Sequence, residues 1–429
     1  MKPPRHGPVY ILSLVAFCLL CIALMIRSVT AMGPAIIARV AVGMYPSAVA
    51  IDGVARRALV LNSYDTTVSV LDEGTGALLA TTTVGSNGGA HPQQVALDTR
   101  TGHAVVLTDD GQASILDTRS GHVLNAVLLS GSPAAIVIDE GQARAFVAEA
   151  DAGVVAIVDT RSGALLRTVP VGRFPEEIVC DSHAHLVFVA SQGDSVVNVL
   201  DARTGRSVRT LRTAVTPNSL AVSDRYHELF IAGMHGSITG VDVYTGTRRF
   251  QRTLSSSPGT AFDFLLAVDD ARGTLLAAHD THIQEIDPST GRSRSLIRLP
   301  SAITALGAIP GTGDVMATVR GAVDARGQVL GDGSLLLFNA RGQRLDTIPV
   351  GVDPSALAVD PVNGRVLVAD TNLNPDGSPV PPRPAPTPPL TRLLSALRTW
   401  LPFLPSVTPA RAPVRSTTGA VDVLRLDLH

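Results

Sequence analysis

Residues 132–172 carry three short apolar runs followed by one mixed run. The apolar runs occupy 134–138, 145–148 and 154–158, each 4 or 5 residues long and almost uninterrupted. Runs of that size without alternation predict strands covered on both faces. Turn chemistry separates them: Asp139-Glu140-Gly141, then Glu149 to Gly153, then Asp159 to Gly163. The fourth run, 164–171, interleaves Arg167, Thr168 and Pro170 with apolar residues. Proline has no N–H to give to a ladder, so this strand is expected at a sheet edge. Three buried strands and one polar edge strand, repeated radially, make a propeller blade.

Most of the chain is further copies of this unit. Aligned on the residue that ends the first strand, the copies fall at Asp52, Asp98, Asp139, Asp181, Ser223, Asp269, Ile309 and Asp360. The spacings run from 40 to 51 residues, in the range of propeller blades. Third strands end at Asp72, Asp117, Asp159, Asp201, Asp242, Asp287 and Asn339. The eighth third strand, 420–427, has no fourth strand after it, whereas 35–42 reads as a fourth strand with no first three before it. Pairing the two chain ends resolves both leftovers and gives an all-β propeller of eight four-stranded blades. Seven blades with a separate tail is the alternative if the ends do not pair.

Ahead of the repeats lies an 18-residue apolar run, 9–26, with Lys2, Arg5 and His6 before it and Arg27 after. This is long for a signal-peptide core and just long enough for a span. Residues 1–31 are therefore expected to be a signal peptide, cleaved after the small-residue pattern Val29-Thr30-Ala31, or an uncleaved membrane anchor. Either way, the charge ahead of the run places the propeller, 35–429, outside the cytoplasm, secreted or membrane-anchored. Cys180 is the one cysteine outside the apolar run, so no internal disulfide is expected, and it reads as a small core hydrophobe.

Composition adds little beyond exclusion. A net charge of -2 and a pI near 6.6 give no nucleic-acid footprint. Aromatics are 4% of 429 residues, which leaves the core to Val, Leu, Ile and Ala. Two units depart from the pattern: the seventh inserts a Gly- and Asp-rich segment, 321–333, and the eighth inserts 371–418. The latter opens with a proline-rich spacer and continues into 390–401, LTRLLSALRTWL, whose Leu390, Leu393, Leu394, Leu397, Trp400 and Leu401 follow helical spacing. Such a helix can cap the propeller, lie on a membrane surface or bind a partner. The absence of tryptophan from every blade argues against WD40 repeats.

The repeats resemble those of the YVTN family of β-propeller proteins. V-G-x-x-P recurs as VGMYP at 42–46, VGRFP at 171–175 and VGVDP at 350–354. The first unit, 58–85, is ALVLNSYDTTVSVLDEGTGALLATTTVG, with Asn62, the Thr67-Val68-Ser69-Val70 run and Asp72 at the family's positions. The family's second-strand tyrosine is replaced by Leu, Val or Phe, and the fifth to seventh units match poorly. The resemblance implies an exported, often surface-associated propeller without specifying a ligand, since the architecture also hosts lactonases, quinoprotein dehydrogenase subunits and adhesive proteins.

Candidate chemistry gathers where the second-to-third-strand turns and fourth-to-first-strand loops share one face. That face is expected to collect Asp65, Asp109, Asp110, Glu149, Asp151, Asp194, Asp280 and Asp370, with His235, His279 and His282. Acids and histidines at a channel mouth can hold a metal or act as acid and base. The plainer reading is that tight turns need Asp for their own backbone bonds. His183 and His185 fall on the opposite face, where solvated turn positions are expected. Asn372, Asn374 and Asp376 resemble a calcium loop lacking its terminal glutamate, or else an Asx-rich turn. The expected function is a binding module for a protein or other envelope component, monomeric, without a required cofactor and without nucleic acid. The alternatives are a lactonase-type hydrolase with a metal at the acidic mouth, and a structural envelope protein.

Overall fold

The computed structural model describes residues 35–86, 90–254, 264–270, 272–309, 312–321, 331–360, 362–371 and 419–426. It is an all-β propeller of eight four-stranded antiparallel sheets. Blades 1 to 7 each use four consecutive strands. In blade 3 these are Pro133–Asp139, Arg144–Glu149, Val154–Asp159 and Leu165–Pro170. Blade 8 takes its first three strands, Pro354–Asp360, Arg365–Asp370 and Ala420–Arg425, from the C-terminal part and its fourth, Ala35–Ala41, from the N-terminal part. The closing pair runs Ile36↔Leu424 to Ala41↔Ala420 around one bulge. The first strand of each blade neighbours that of the next all round the ring, including blade 8 against blade 1.

The uninterrupted apolar runs follow from packing between blades. In the second and third strands of blade 3, Phe146, Ala148, Val155 and Ile157 enter the seam with blade 4, meeting Val187, Val189 and Leu200. Their alternates Ala145, Val147, Ala156 and Val158 enter the seam with blade 2, meeting Val105, Leu107 and Ile115. Both faces of these strands are core, so neither can be polar. The expectation of three fully covered strands needs correcting for the first strand. Those strands are largely half-exposed, as in Pro46–Asp52 and Pro354–Asp360, because they line the central channel. Fourth strands are exposed at the rim, as their prolines and arginines predict.

Turns between third and fourth strands in blades 1 to 5 use one device. Asp72, Asp117, Asp159, Asp201 and Asp242 each accept the backbone N–H and the hydroxyl of the Ser or Thr three residues later. The Thr75 and Ser120 hydroxyls hold the Asp72 and Asp117 carboxyls below the usual range. The following glycine, as at Gly163 with φ +71°, takes the left-handed conformation that closes the turn.

Among the described residues no helix is long and apolar enough to cross a membrane. The apolar run 9–26 and the amphipathic stretch 390–401 lie outside the described residues. Cys180 is a free thiol packed against the seam between blades 3 and 4. Burial, and then the nearby Asp139 carboxylate, push it up to about 12.

Candidate functional site

The loop face is built by pairing each second-to-third-strand turn with the loop that delivers the chain into the same blade. In blade 1 the Ser63 and Tyr64 amides donate to the Tyr45 and Met44 carbonyls at 3.0 and 3.2 Å. Blade 4 repeats this, Gln192 and Gly193 donating to Phe174 and Arg173 at 2.9 and 3.0 Å.

Most of the expected acids are engaged in these loops. Asp65 accepts the Met44 amide at 2.5 Å. Asp110 accepts the Ser86 amide and hydroxyl, and Asp109 accepts the His91 amide. Glu149 takes the Gly131 amide and the Ser130 hydroxyl, both at 2.6 Å, while Asp151 takes the Ser132 hydroxyl at 2.6 Å. Asp194 accepts the Arg173 amide and pairs with its guanidinium, each at 2.8 Å. Each acid ties a loop to a turn within its own blade, and among the described residues these acids form no group close enough to share a metal ion.

Asp370 is fully buried and sits beside Asp422, which Arg39 grips with two 2.6 Å bonds. Burial, with the Asp422 charge second, raises the Asp370 carboxyl well above the usual range. This group belongs to ring closure and does not open onto the mouth. His279 and His282 face each other across a two-residue hairpin whose Asp280 has φ +49°, with ring centroids 6.2 Å apart. Phe264 lies edge-on to His279 at 5.5 Å, and burial lowers the imidazole's pKa. His235 lies in the single-turn helix Met234–Gly236, its side chain outside the described residues. Asn372, Asn374 and Asp376 also lie outside them.

Sequence reasoning passed over the aromatic side chains of this face. Tyr45 and Tyr64 stack at 4.6 Å between centroids, with His91 edge-on to Tyr64 at 6.2 Å. Tyr64 is 57% exposed and Phe174, in the matching loop of blade 4, is 52% exposed. Tyr45 and Phe174 also have positive φ, 54° and 51°. A bulky L-residue in that region costs about 1–2 kcal/mol and persists where surrounding bonds impose it. The signal was present in VGMYP and VGRFP, where an aromatic precedes the proline in a loop that offers it no core.

The opposite face holds a second group. Among the described residues, Asp181, His183 and Asp224 bring carboxylate and imidazole donor atoms within 4.8 Å of one another. His185, at φ +54°, places Nδ1 3.6 Å from Asp139 Oδ2. His183 keeps the exposure expected of a solvated turn position, its side chain 73% exposed, yet both histidines meet acids of the flanking blades.

Comparison with known proteins bears on the fold alone. No protein-family model and no curated protein matches the chain. Among solved structures the chain is similar to the computationally designed Ika8 protein, with a TM-score of 0.60 and 19% identity over 76% of this chain and 94% of that one. It is also similar to BamB from Moraxella catarrhalis, with a TM-score of 0.57 and 19% identity over 78% of this chain and 96% of that one. The chain is a β-propeller. At such identities the likeness extends to the architecture and to nothing finer.

Proposed function

We propose that this chain is an exported, YVTN-like propeller that binds a protein or another envelope component on its loop face. One observation carries the reading: Tyr45, Tyr64 and Phe174 stand exposed there, two of them on strained backbone, while most acids of that face are held within its loops. Exposed aromatics on a rigid frame supply large contact area at small entropic cost and are enriched at interaction hot spots. Export rests on the charged and apolar pattern of residues 1–31, and membrane attachment would run through the same segment.

The test is site-specific photo-crosslinking in cells. A photoreactive side chain in place of Tyr64 or Phe174 should trap a defined adduct, whereas one at Val54 or Val362, exposed in turns of the opposite face, should not. The double change Tyr64→Ala, Phe174→Ala should reduce adduct formed from a probe at Tyr45 by about tenfold or more, the scale of a lost hot spot. Equal trapping from both faces, or lactone hydrolysis by the purified chain, would overturn the binding-module reading.

A further inference from the structure

In blades 1 and 2 the carboxylate ending the first strand reaches into the seam with the next blade. Asp52 Oδ2 accepts the Thr118 hydroxyl of blade 2 at 2.8 Å, and Asp98 Oδ2 accepts the Thr160 hydroxyl of blade 3 at 2.5 Å. Each threonine directly follows its third strand and donates its backbone N–H to the last residue of a first-to-second-strand turn, Thr118 to Gly102 and Thr160 to Ala143. Both blades thus meet through one buried hydroxyl and one buried carboxylate oxygen.

Between blades 4 and 5 the same backbone bond is made by Val243 to His227 at 2.9 Å. Valine has no hydroxyl to give. Asp181 Oδ1 accepts the His183 and Ala184 amides at 2.9 and 2.7 Å, but Oδ2 has no partner, and the residue is 0% exposed. A bare carboxylate oxygen in a buried place is costly unless something positive reaches it. Two groups come up instead: His183 from the adjoining turn of blade 4, and Asp224 from that of blade 5, at the position where Glu140 accepts the Thr99 hydroxyl in the seam between blades 2 and 3. His183 Nδ1 lies 3.0 Å from Asp224 Oδ2. At the seam between blades 3 and 4, where Ala202 replaces the threonine, a single histidine approaches a single acid.

We propose that the seam between blades 4 and 5 binds one divalent cation of the zinc class, held by Asp181, His183 and Asp224. The dication neutralises the two carboxylates and gives Asp181 Oδ2 the partner that a threonine hydroxyl gives Asp52 and Asp98. One imidazole and two carboxylates suit a borderline ion, and three protein ligands leave one position of a tetrahedron to water. Calcium, which takes 6–8 oxygens, fits this donor set poorly. The ligands come from both blades, so the ion cross-links the ring. The site lies on the face opposite the aromatic loops, and the proposal stands independently of the binding-module reading.

The test uses the full chain, stripped with chelator and titrated with zinc chloride by calorimetry, with the thermal midpoint read in parallel. One equivalent should bind and the midpoint should rise with free zinc, as for any ligand of the folded state alone. His183→Ala and Asp224→Asn should each weaken binding by at least about tenfold, first-contact ligands mattering no less than their supports. Both residues sit in turns, with side chains 73% and 38% exposed, so the variants should keep the wild-type circular dichroism. His279→Ala with His282→Ala should leave binding unchanged. Absence of heat and of a midpoint shift, or binding undiminished by His183→Ala and Asp224→Asn, overturns the proposal. So does binding that disappears with the His279 and His282 pair.

Discussion

Several side chains are ionised less readily than their chemistry dictates, and their positions explain why. Burial in the first strand of blade 4 pushes the Glu177 carboxyl up to about 7. Glu73 is raised to about 7 by burial and then by its hydrogen bond with Asp360 across the closing seam. Glu228 reaches about 7 through burial, although Arg249 stands 3.5 Å away. A carboxyl whose folded-state pKa exceeds its unfolded value of about 4.5 binds its proton more tightly when folded. Its stabilising contribution is complete below about pH 4.5 and is lost as pH rises from there to about 7. All three glutamates act in this direction, so stability should fall between pH 5 and 8. Glu177→Gln removes one of them and should stabilise the chain at pH 8 by about 1–3 kcal/mol, with little change at pH 4.5. Urea midpoints at the two pH values check this, and equal shifts at both would show that the substitution acts through packing instead.

The elements were legible because chemistry marks their ends. All eight first strands end at the residue on which the repeats align, from Asp52 to Asp360, since each of those side chains or its neighbours must close a turn. Asp139 shows what that logic left out: its Oδ1 serves the Gln142 amide, whereas its Oδ2 looks across a seam to another blade. A single repeat cannot display a contact that belongs to two. Tyr45 and Phe174 lie in loops whose Val-Gly motifs mark the repeat, and the left-handed backbone that turns their rings outward is not written in those motifs. The clue at the fourth seam lay in comparing units, with Thr118 and Thr160 giving way to Ala202 and Val243 as His183 and Asp224 enter the turns. Blade 8 carries the largest departure from the repeat. Asp370 pairs directly with Ala420, so the chain leaves and rejoins the sheet at a single step of the ladder. Replacing 372–418 with a four-residue Gly-Ser turn should therefore preserve the β-sheet dichroism and shift the thermal midpoint by only a few degrees, as loop length alone costs little. Loss of a cooperative transition would mean that the inserted segment contributes to the core.

At the scale of the molecule, a ring of similar blades is only as strong as its last seam. Seven blades are each made of consecutive strands, whereas blade 8 joins residues more than 380 apart in the sequence. That joint has three reinforcements. Val40, packing beside Val421 and Val423, completes the apolar seam with blade 1. The ladder between Ala35–Ala41 and Ala420–Arg425 supplies backbone bonds. Arg39 clamps the fully buried Asp422 in a two-bond pair while its own side chain keeps 47% exposure. Asp370 lies alongside, its carboxyl raised well above the ordinary range by burial and then by the Asp422 charge. Removing Arg39 would leave that charge buried without a cation, a change costing about 3–5 kcal/mol for a fully enclosed pair and less for one half open to water. Arg39→Ala should accordingly destabilise the propeller by about 2–4 kcal/mol, with Arg39→Lys recovering part of the loss because lysine restores the charge without the two-pronged geometry. Deleting residues 34–43 should go further, lowering the melting temperature sharply and exposing Ala420–Arg425 as an unpaired edge open to association with a second chain. Denaturant unfolding, with light scattering to follow association, checks both variants. If the deletion leaves the transition unchanged, the N-terminal strand does not close the ring in solution, and blade 8 stands with three strands.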